Sequence, residues 1–321
     1  MTGGTVLVTS RSFGGGTVRC EDRLTGAGLT VVRGSTAHDL DELRPVLAET
    51  VAWIAGTAPI TRDHLAAAPR LRVIARYGVG VDNVDLDAAA GHGVTVTNTP
   101  GANSEAVADL AVALLLAALR EIVPAGRDVR QGTWRPRRGR ELGALTVGIA
   151  GFGRIGRGVA RRLAGFGARV LAHDPYVEQA DVPLVSMKTL AGSCDAVTLH
   201  APGGTTLVDA AWLARAKPGS ILVNTARADL VDEPAVAAAL RGGRLRAYAT
   251  DVLADERPGG LLAPDLADRV LVTPHIGAHT VEAVDRMGQG ATDAVLSALG
   301  LSGSGLSGSG GRAEGHHAAP R

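Results

Sequence analysis

The sequence predicts an α/β protein with two sheets of parallel strands, and two observations carry this prediction. Short apolar, strand-like segments alternate with helix-like segments along the chain, and a turn-rich break at residues 100–104 divides them into two sets. The second set also contains a G-x-G-x-x-G motif placed directly after a strand and at the start of a helix. Strands that alternate with helices pair in parallel, so each set is expected to build one sheet.

The first set occupies the chain up to residue 99. Strands are predicted at residues 5–9, 29–32, 51–55, 71–75 and 94–98, because each is a short apolar run. Helices are predicted at residues 39–48, 61–68 and 85–91. Thr61 is a candidate N-cap for the second of these helices, because its hydroxyl can accept a hydrogen bond from a free backbone N–H.

The second set begins with an Ala- and Leu-rich helix predicted at residues 105–120, for which Ser104 is the candidate N-cap. Strands are predicted at residues 146–150, 169–173, 196–200, 220–224, 246–250 and 270–273, and further helices at 155–165 and 281–299. Past Gly300 the Gly- and Ser-rich composition predicts a flexible tail over residues 301–321. Two adjacent histidines in that tail are too weak a motif to predict a metal site.

Length and composition set the class of protein. A chain of 321 residues is long for one compact domain, so two domains are expected. Its 33 Lys and Arg nearly balance 32 Asp and Glu, which favours neither nucleic acid nor a membrane as a partner. The most apolar helical stretch, residues 111–119, is shorter than the roughly 20 residues of a membrane span. Only two cysteines and no signal-peptide pattern predict a cytoplasmic location.

The G-x-G-x-x-G motif predicts a dinucleotide site. Gly151 makes the tight turn after the strand, Gly153 lets the backbone approach a pyrophosphate, and Gly156 allows close packing of helix on strand. The N-terminus of the helix presents free N–H groups to the phosphates. Asp174 ends the next strand, where a carboxylate accepts hydrogen bonds from the adenosine ribose. That carboxylate repels a 2′-phosphate, so NAD is favoured over NADP.

Charged and ionisable residues follow three predicted strands of the second set. They are Arg227, Asp251, Glu256 and His275. In a doubly wound sheet the carboxyl ends of the strands face the ligand crevice. A guanidinium can bind a carboxylate and polarise a ketone, a histidine can donate a proton near neutral pH, and a neighbouring carboxylate raises the pKa of that histidine. The combination suits hydride transfer at an α-keto acid, although each residue alone could equally be a solvated surface group.

Seven stretches of the sequence together carry a family resemblance. They are residues 78–85 (GVGVDNVD), 98–103 (NTPGAN), 148–156 (GIAGFGRIG), 200–202 (HAP), 224–233 (NTARADLVDE), 251–256 (DVLADE) and 273–277 (TPHIG). With these stretches, residues 5–299 resemble the D-isomer-specific 2-hydroxyacid dehydrogenases, a family that includes phosphoglycerate dehydrogenases, hydroxypyruvate reductases and D-lactate dehydrogenases. The resemblance implies an enzyme that uses NAD.

The resemblance implies catalytic roles for individual residues. Arg227 is expected to bind the substrate carboxylate, and the backbone N–H groups of Val79 and Gly80 are expected to form a second clamp on it. His275 is expected to act as the general acid in reduction, with Glu256 as its partner.

The resemblance also implies contacts for the cofactor and the rest of the substrate. Asn103 is expected near the substrate, and Asp251 is expected to hold the nicotinamide carboxamide. The remaining residues expected to line the cofactor cleft are Arg154, Ile155, His200, Ala201, Pro202, Thr225, Ala226 and Gly277.

The family's domain arrangement would divide this chain in a particular way. Residues 1–99 together with 282–300 would form a flavodoxin-like substrate domain, and residues 100–281 a Rossmann NAD-binding domain inserted into it. The helix at 105–120 and the loop through Trp134 are expected to form the contact of a homodimer. An ordinary core helix explains the apolar stretch at 111–119 equally well.

The function implied is the interconversion of a small 2-keto acid and the D-2-hydroxy acid by hydride transfer. One alternative is an NAD-sensing, corepressor-like binding protein without significant turnover, and another is a family member acting on a phosphonate or a phosphorylated 2-keto acid. Residues 56–60 lack the basic side chain with which phosphoglycerate-type relatives grip the phosphate, which disfavours 3-phosphoglycerate.

Two sets of basic residues are candidates for binding a second anionic group of the substrate. One is Arg76, which stands just before the expected clamp. The other is the run Arg135, Arg137, Arg138 and Arg140, although a charge run of this kind is more often a solvated loop.

Overall fold

The structure of the protein, a computed structural model, describes residues 3–301. The predicted tail therefore lies outside the described residues, apart from Leu301. Within the described range the chain forms two sheets, and the strand pairs of both are parallel. The predicted α/β class with two parallel sheets is confirmed.

The first sheet is built from five strands. They are β1 (Thr5–Val8), β2 (Thr30–Arg33), β3 (Thr50–Ala55), β4 (Val73–Arg76) and β5 (Thr95–Thr97), in the spatial order β2-β1-β3-β4-β5. This is the flavodoxin-like order, in which the winding reverses between β1 and β3. The interior strands are almost wholly buried, as expected of parallel strands covered on both faces.

Four helices lie between these strands: α1 (Cys20–Gly26), α2 (Leu40–Leu47), α3 (Arg62–Ala66) and α4 (Leu86–Gly91). Apolar residues of α2, α3 and α4 pack on one face of the sheet around the fully buried Trp53. Leu24 of α1 belongs to the core of the opposite face. Both faces of the sheet are thereby covered, and the polar carboxyl ends of its strands remain as the place for a site.

The second sheet is built from six strands. They are β6 (Thr146–Ala150), β7 (Arg169–His173), β8 (Ala196–Leu199), β9 (Ser220–Asn224), β10 (Leu245–Thr250) and β11 (Val270–Val272), in the order β11-β10-β9-β8-β6-β7. The winding reverses between β6 and β8, so the carboxyl ends of these two strands flank the crevice in which such sheets bind ligands.

The remaining helices are α5 (Ser104–Arg120), α6 (Ile122–Arg130), α7 (Arg154–Gly165), α8 (Met187–Ser193), α9 (Ala210–Arg215), α10 (Glu233–Arg241) and α11 (Val281–Ala298). The long helix α5 packs on α7 and on strands β9 and β10 of the second sheet. The last helix, α11, packs on β4 of the first sheet and on α1. None of the helices in the described range has the length and apolar character that a membrane crossing requires.

The structure corrects the prediction at the start of α5. Ser104 is the first residue of the helix rather than its N-cap, and Asn103 occupies the cap position without a capping side-chain hydrogen bond. Helices α1 and α6 were not predicted. Glu121 adopts a left-handed conformation (φ 51°) that ends α5 at the predicted residue and begins α6. Pro124 lies in the first turn of α6, where its missing N–H is tolerated, whereas it could not continue the preceding helix.

A buried histidine lies beside the carboxyl end of β1. His38 is 3% exposed, and its Nε2 lies 2.7 Å from Thr9 Oγ1 while its Nδ1 lies 3.1 Å from the carbonyl oxygen of Pro59. Trp53 Nε1 donates to the same Thr9 hydroxyl. Burial lowers the pKa of His38 to about 4, so the ring is neutral near neutral pH.

We expect this histidine to make the folded state sensitive to acid. The unfolded chain binds a proton at His38 near pH 6.5 and the folded chain only near pH 4, so stability is lost as the pH falls through this window. The loss is on the order of 3 kcal/mol. Urea unfolding of the unsubstituted protein and of His38→Asn, which tolerates the positive φ, measures it. An equal acid sensitivity of the two proteins would contradict the assignment.

Candidate active site

Three glycines shape the turn between β6 and α7. Gly151 has φ +94°, and a Cβ on it would lie 2.5 Å from the carbonyl carbon of His200 and the N of Ala201. A Cβ on Gly156 would overlap the carbonyl oxygen of Gly151. Gly153 differs, because a Cβ there would meet no protein atom within 4 Å. The fold therefore needs glycine at positions 151 and 156, whereas Gly153 leaves open space before the N-terminus of α7.

Asp174 stands next to this turn, at the carboxyl end of β7. One of its oxygens accepts a hydrogen bond from Phe152 N (2.8 Å) and the other from Tyr176 N (2.9 Å). The carboxylate is thereby fixed beside the glycine turn and keeps unused acceptor positions on both oxygens. Arg154 opens α7, and its side chain lies against Gly101.

Polar atoms without partners lie among the predicted cleft residues. Asn103 Oδ1, His200 Nδ1 and Thr225 Oγ1 are buried and make no hydrogen bond. The other nitrogen of His200 lies 2.9 Å from Thr198 Oγ1, and burial lowers the pKa of this ring to about 3. Buried polar atoms are seldom left unpaired, so these three fit a site completed by a polar ligand.

The other predicted cofactor residues are distributed along the same edge of the sheet. They are Ile155 in α7, Pro202 after β8, Ala226 after β9 and Gly277 after β11.

The loop after β4 presents two free backbone donors. The carbonyl of Gly78 accepts hydrogen bonds from the N–H and the hydroxyl of Thr99, and that of Val79 accepts one from Asn98 Nδ2. The N–H groups of Val79 and Gly80 donate to no atom of the described residues. The carbonyls of this loop are thus tied back, while its amides are left for an external acceptor.

Arg76, the last residue of β4, is buried beneath this loop with 6% of its surface exposed. Its Nε donates to Asn83 Oδ1 (3.0 Å), and its Nη1 donates to the carbonyls of Ala55 (3.1 Å) and Tyr77 (2.9 Å). Desolvation, and then repulsion by Arg227, lower the pKa of Arg76 to about 10. The guanidinium therefore remains charged at neutral pH, and it has no carboxylate partner within hydrogen-bond distance in the described chain.

Arg227 follows β9 and reaches the same loop. A Cβ on Gly80 would overlap Nη2 of Arg227, which shows how closely the guanidinium lies against that residue. Arg227 also pairs with Asp82 through two contacts, Nε to Oδ2 at 2.9 Å and Nη2 to Oδ1 at 3.1 Å. Asp82 was not singled out in the sequence, although it stands two residues past Gly80 in a matched stretch.

His275 follows β11 and is held by a carboxylate at the end of β10. Asp251 is 2% exposed and accepts hydrogen bonds from Thr273 Oγ1 (2.6 Å), Ile276 N (2.8 Å) and Gly277 N (2.7 Å). These bonds fix the chain on both sides of His275, whose φ of +54° is uncommon for a non-glycine residue. Asp251 therefore organises the histidine turn, and a carboxylate has room for one further donor.

The charges around His275 oppose one another. Desolvation lowers its pKa, Asp251 raises it, and Arg227 and Arg76 lower it further, with a net shift below the ordinary value. Glu256 also raises this pKa through its charge, but it is exposed and makes no hydrogen bond to the ring. The structure thus places Arg227 and His275 at one sheet edge, and leaves Glu256 near the histidine without contact.

The basic run after Trp134 divides into two groups. Arg137 is fixed by three carboxylates, those of Glu121, Asp128 and Asp268. Arg140 pairs with Asp195 at 3.2 Å. Arg135 and Arg138 are exposed and have no ion pair within the described residues. Two of the four arginines therefore hold the loop in place, and only the exposed two are free to meet a ligand.

Comparison with known proteins agrees with this geometry. Residues 112–277, which contain the glycine turn and the carboxyl ends of β6–β11, match the family described as D-isomer specific 2-hydroxyacid dehydrogenase, NAD binding domain. The chain belongs to this dehydrogenase family. Its cofactor is NAD.

No group of three His, Cys, Asp or Glu side chains in residues 3–301 is arranged to hold a metal ion.

Several known proteins resemble the chain over most of its length. It is 43% identical over 279 residues to a D-3-phosphoglycerate dehydrogenase of Mycobacterium tuberculosis, covering 84% of this chain and 53% of that protein. It is 36% identical over 271 residues to a hydroxypyruvate reductase of Thermotoga maritima, and the match covers 81% of this chain and 89% of that protein. A crystal structure of a Thermus thermophilus protein superposes on the chain with a TM-score of 0.84 at 37% sequence identity, and the match covers 92% of this chain and 97% of that one. The chain thus spans about half the length of the phosphoglycerate dehydrogenase.

The glycine turn between β6 and α7 offers a test that separates cofactor binding from folding. Gly153 has a φ of −78°, outside the left-handed region that favours glycine, and a Cβ there meets no protein atom within 4 Å. Gly153→Ala should therefore keep the thermal stability but weaken NADH binding by about tenfold or more, because the methyl group occupies the approach of the pyrophosphate. A fluorescence titration with NADH, paired with thermal unfolding, measures both. Gly156→Ala, which overlaps a carbonyl, should instead lower the unfolding temperature.

Proposed function

We propose that this protein interconverts a small 2-keto acid and the corresponding D-2-hydroxy acid by NAD-dependent hydride transfer. One observation carries the proposal: the Arg227 guanidinium lies against Gly80, beside the unengaged N–H groups of Val79 and Gly80. A cationic fork next to two free amides suits a carboxylate. His275 follows β11 at the edge where Arg227 follows β9, so a proton donor is available for the same ligand.

In the proposed reaction the chain's own residues bind the substrate and move one proton. Arg227 and the two amides hold the carboxylate and so orient the adjacent carbonyl. Protonated His275 gives its proton to the carbonyl oxygen during reduction, and the neutral ring takes it back during oxidation. Glu256, whose charge already raises the pKa of His275, is proposed as its partner. NAD supplies or accepts the hydride when it is bound.

The cofactor contacts proposed here follow from the open space and the unpaired atoms of the cleft. Gly153 and the start of α7 would hold the pyrophosphate, and Asp174 would accept from the ribose. Thr225 and His200 carry buried polar atoms without a partner, and Asp251 has room for one further donor, such as the nicotinamide carboxamide.

The domain division is proposed as residues 1–99 with 282–300, and 100–281. It is supported by the packing of α11 on the first sheet and of α5 on the second. The homodimer is also proposed, and it is supported by exposed apolar side chains on α6 and by Trp134, which is 88% exposed. The free thiols of Cys20 and Cys194 support a reducing, cytoplasmic location.

A 2-keto acid without a second charge is the favoured substrate, because Arg137 and Arg140 are held in ion pairs. A phosphorylated or phosphonate-bearing 2-keto acid is the second candidate. It is favoured by the relatives named D-3-phosphoglycerate dehydrogenase and by Arg76 Nη2, which makes no hydrogen bond within the described residues.

A substrate panel tests the proposal. We expect NADH oxidation with at least one of glyoxylate, pyruvate and hydroxypyruvate, and a weaker rate with NADPH. The product of pyruvate or hydroxypyruvate should have the D configuration, whereas glycolate, the product of glyoxylate, is achiral. Phosphonopyruvate tests the second candidate, and oxaloacetate tests whether a second carboxylate is accepted instead. A lower KM for phosphonopyruvate than for the singly charged substrates, raised by Arg76→Ala or Arg138→Ala, would favour the second candidate. NADH binding without turnover of any of the five compounds would contradict the proposed activity and favour a binding protein.

A further inference from the structure

An acidic side chain, Asp82, holds the arginine that we propose to bind the substrate. Its two oxygens accept from Nε and Nη2 of Arg227, at 2.9 and 3.1 Å. Contact at two points fixes a planar guanidinium in both position and rotation. Asp82 lies past β4 of the first sheet and Arg227 past β9 of the second, so the pair crosses the cleft between the two sets of loops.

The contacts of Arg227 leave one edge of its fork open. A guanidinium has five N–H groups, and here Asp82 takes one from Nε and one from Nη2 while the carbonyl of Ala226 takes one from Nη1. One N–H remains on Nη1 and one on Nη2. These two nitrogens form the outer edge of the fork, and Nη2 is the one that lies against Gly80.

We infer that Asp82 is a positioning residue: it grips the Nε/Nη2 edge of Arg227 so that the Nη1/Nη2 edge faces the free amides of Val79 and Gly80. A substrate carboxylate then meets donors on two sides without displacing Asp82. The inference rests on the proposed function, since it assigns a role in binding the same carboxylate.

The charges of the cluster agree with this role. Arg76 and Arg227 each carry a positive charge, and Asp82 carries a negative one because its hydrogen bonds with Arg227 lower its pKa. The three side chains together keep one positive charge, which still attracts one carboxylate. Without Asp82 no negative charge would offset the repulsion between the two guanidinium groups, and Arg227 would lose its fixed orientation.

The opposite interpretation makes a different prediction. If Asp82 were a competitor that occupies the place of the substrate carboxylate, its removal would lower KM. If it positions Arg227, its removal raises KM, and it does so only while Arg227 is present. A double-mutant cycle measures this dependence directly.

The experiment compares the unsubstituted protein with Asp82→Ala, Arg227→Ala and the double variant, using NADH and the best substrate of the panel. We expect Asp82→Ala to lower kcat/KM by about tenfold or more, chiefly through KM. In the Arg227→Ala background the same change should cause no further loss. NADH affinity and thermal stability should be unchanged, and Asp82→Glu should recover part of the lost activity. Asp87→Ala, which removes an exposed acid of α4, is the matched control.

Each other outcome overturns the inference. Equal losses from Asp82→Ala in both backgrounds would show that it acts independently of Arg227, and a lowered KM would show competition. Unchanged kinetics would show no role. If the unsubstituted protein turned over no substrate, the proposed function would be overturned, and the inference with it. The two results can be told apart: failure of the proposed function is seen in the unsubstituted protein, whereas failure of the inference alone is seen only in the variants.

Discussion

Replacing His275 by alanine should lower kcat for reduction of the 2-keto acid by about 10²–10⁴-fold, the usual contribution of general acid–base catalysis. The histidine stands in an uncommon backbone conformation (φ +54°) that Asp251 maintains through bonds to the two following N–H groups and to Thr273. The rest of the turn does not depend on the ring, which makes no hydrogen bond in the described residues. NADH binding should therefore persist, as a fluorescence titration can measure.

The pH dependence of kcat/KM tests whether His275 donates the proton. The protonated ring is the acid, so kcat/KM for reduction should fall as the pH rises through the pKa of His275, and oxidation should rise over the same range. Because desolvation and the nearby arginines lower this pKa, the change should be centred below pH 6.5 in the free protein. His279→Ala, which removes an exposed histidine of the same segment, is the control and should behave as the unsubstituted protein. Retention of the pH profile in His275→Ala would contradict the assignment.

Replacing Arg227 by alanine should lower kcat/KM by about 10²-fold or more, because the substrate carboxylate loses its cationic partner and the adjacent Asp82 becomes an unpaired charge beside it. Most of this loss should appear as a higher KM. Arg227→Lys should recover only part of it, since an ammonium group cannot make the two-point contact of the planar fork.

The control for this prediction is Arg241→Ala on α10. That arginine is exposed and pairs with Asp265, so its loss removes one surface ion pair and should leave kcat/KM unchanged. Equal kinetic effects of the two alanine variants would show that Arg227 contributes only through the net charge of the protein and not through contact with the substrate. A normal KM in Arg227→Ala would contradict its proposed role in binding the carboxylate.

Much of the fold could be predicted because buried parallel strands leave a simple signal. The strands at residues 146–150, 169–173 and 220–224 are observed with the predicted bounds, since each is a short apolar run closed by a polar residue or a glycine turn. The position of functional groups at carboxyl strand ends also follows from the winding of the sheet.

Other features depend on contacts that a linear sequence does not show. The end of α5 was predicted, but the left-handed conformation of Glu121 at that point was not, because glutamate favours helices. The acid at position 251 stands where a ligand contact was expected, yet its carboxylate is mostly used to fold the histidine turn. The pairing of Asp82 with Arg227 joins loops of two different sheets, 145 residues apart, so only the folded chain brings them together.

A crystal structure of the protein with NADH and oxamate, an unreactive analogue of pyruvate, would show directly whether Arg227, the loop amides and His275 surround the substrate. We expect the oxamate carboxylate to lie within hydrogen-bond distance of Arg227 and of the backbone N–H groups of Val79 and Gly80. A ring nitrogen of His275 should lie beside the amide carbonyl oxygen of oxamate, next to the nicotinamide. Oxamate bound away from Arg227, or a His275 ring directed out of the cleft in that complex, would contradict this arrangement.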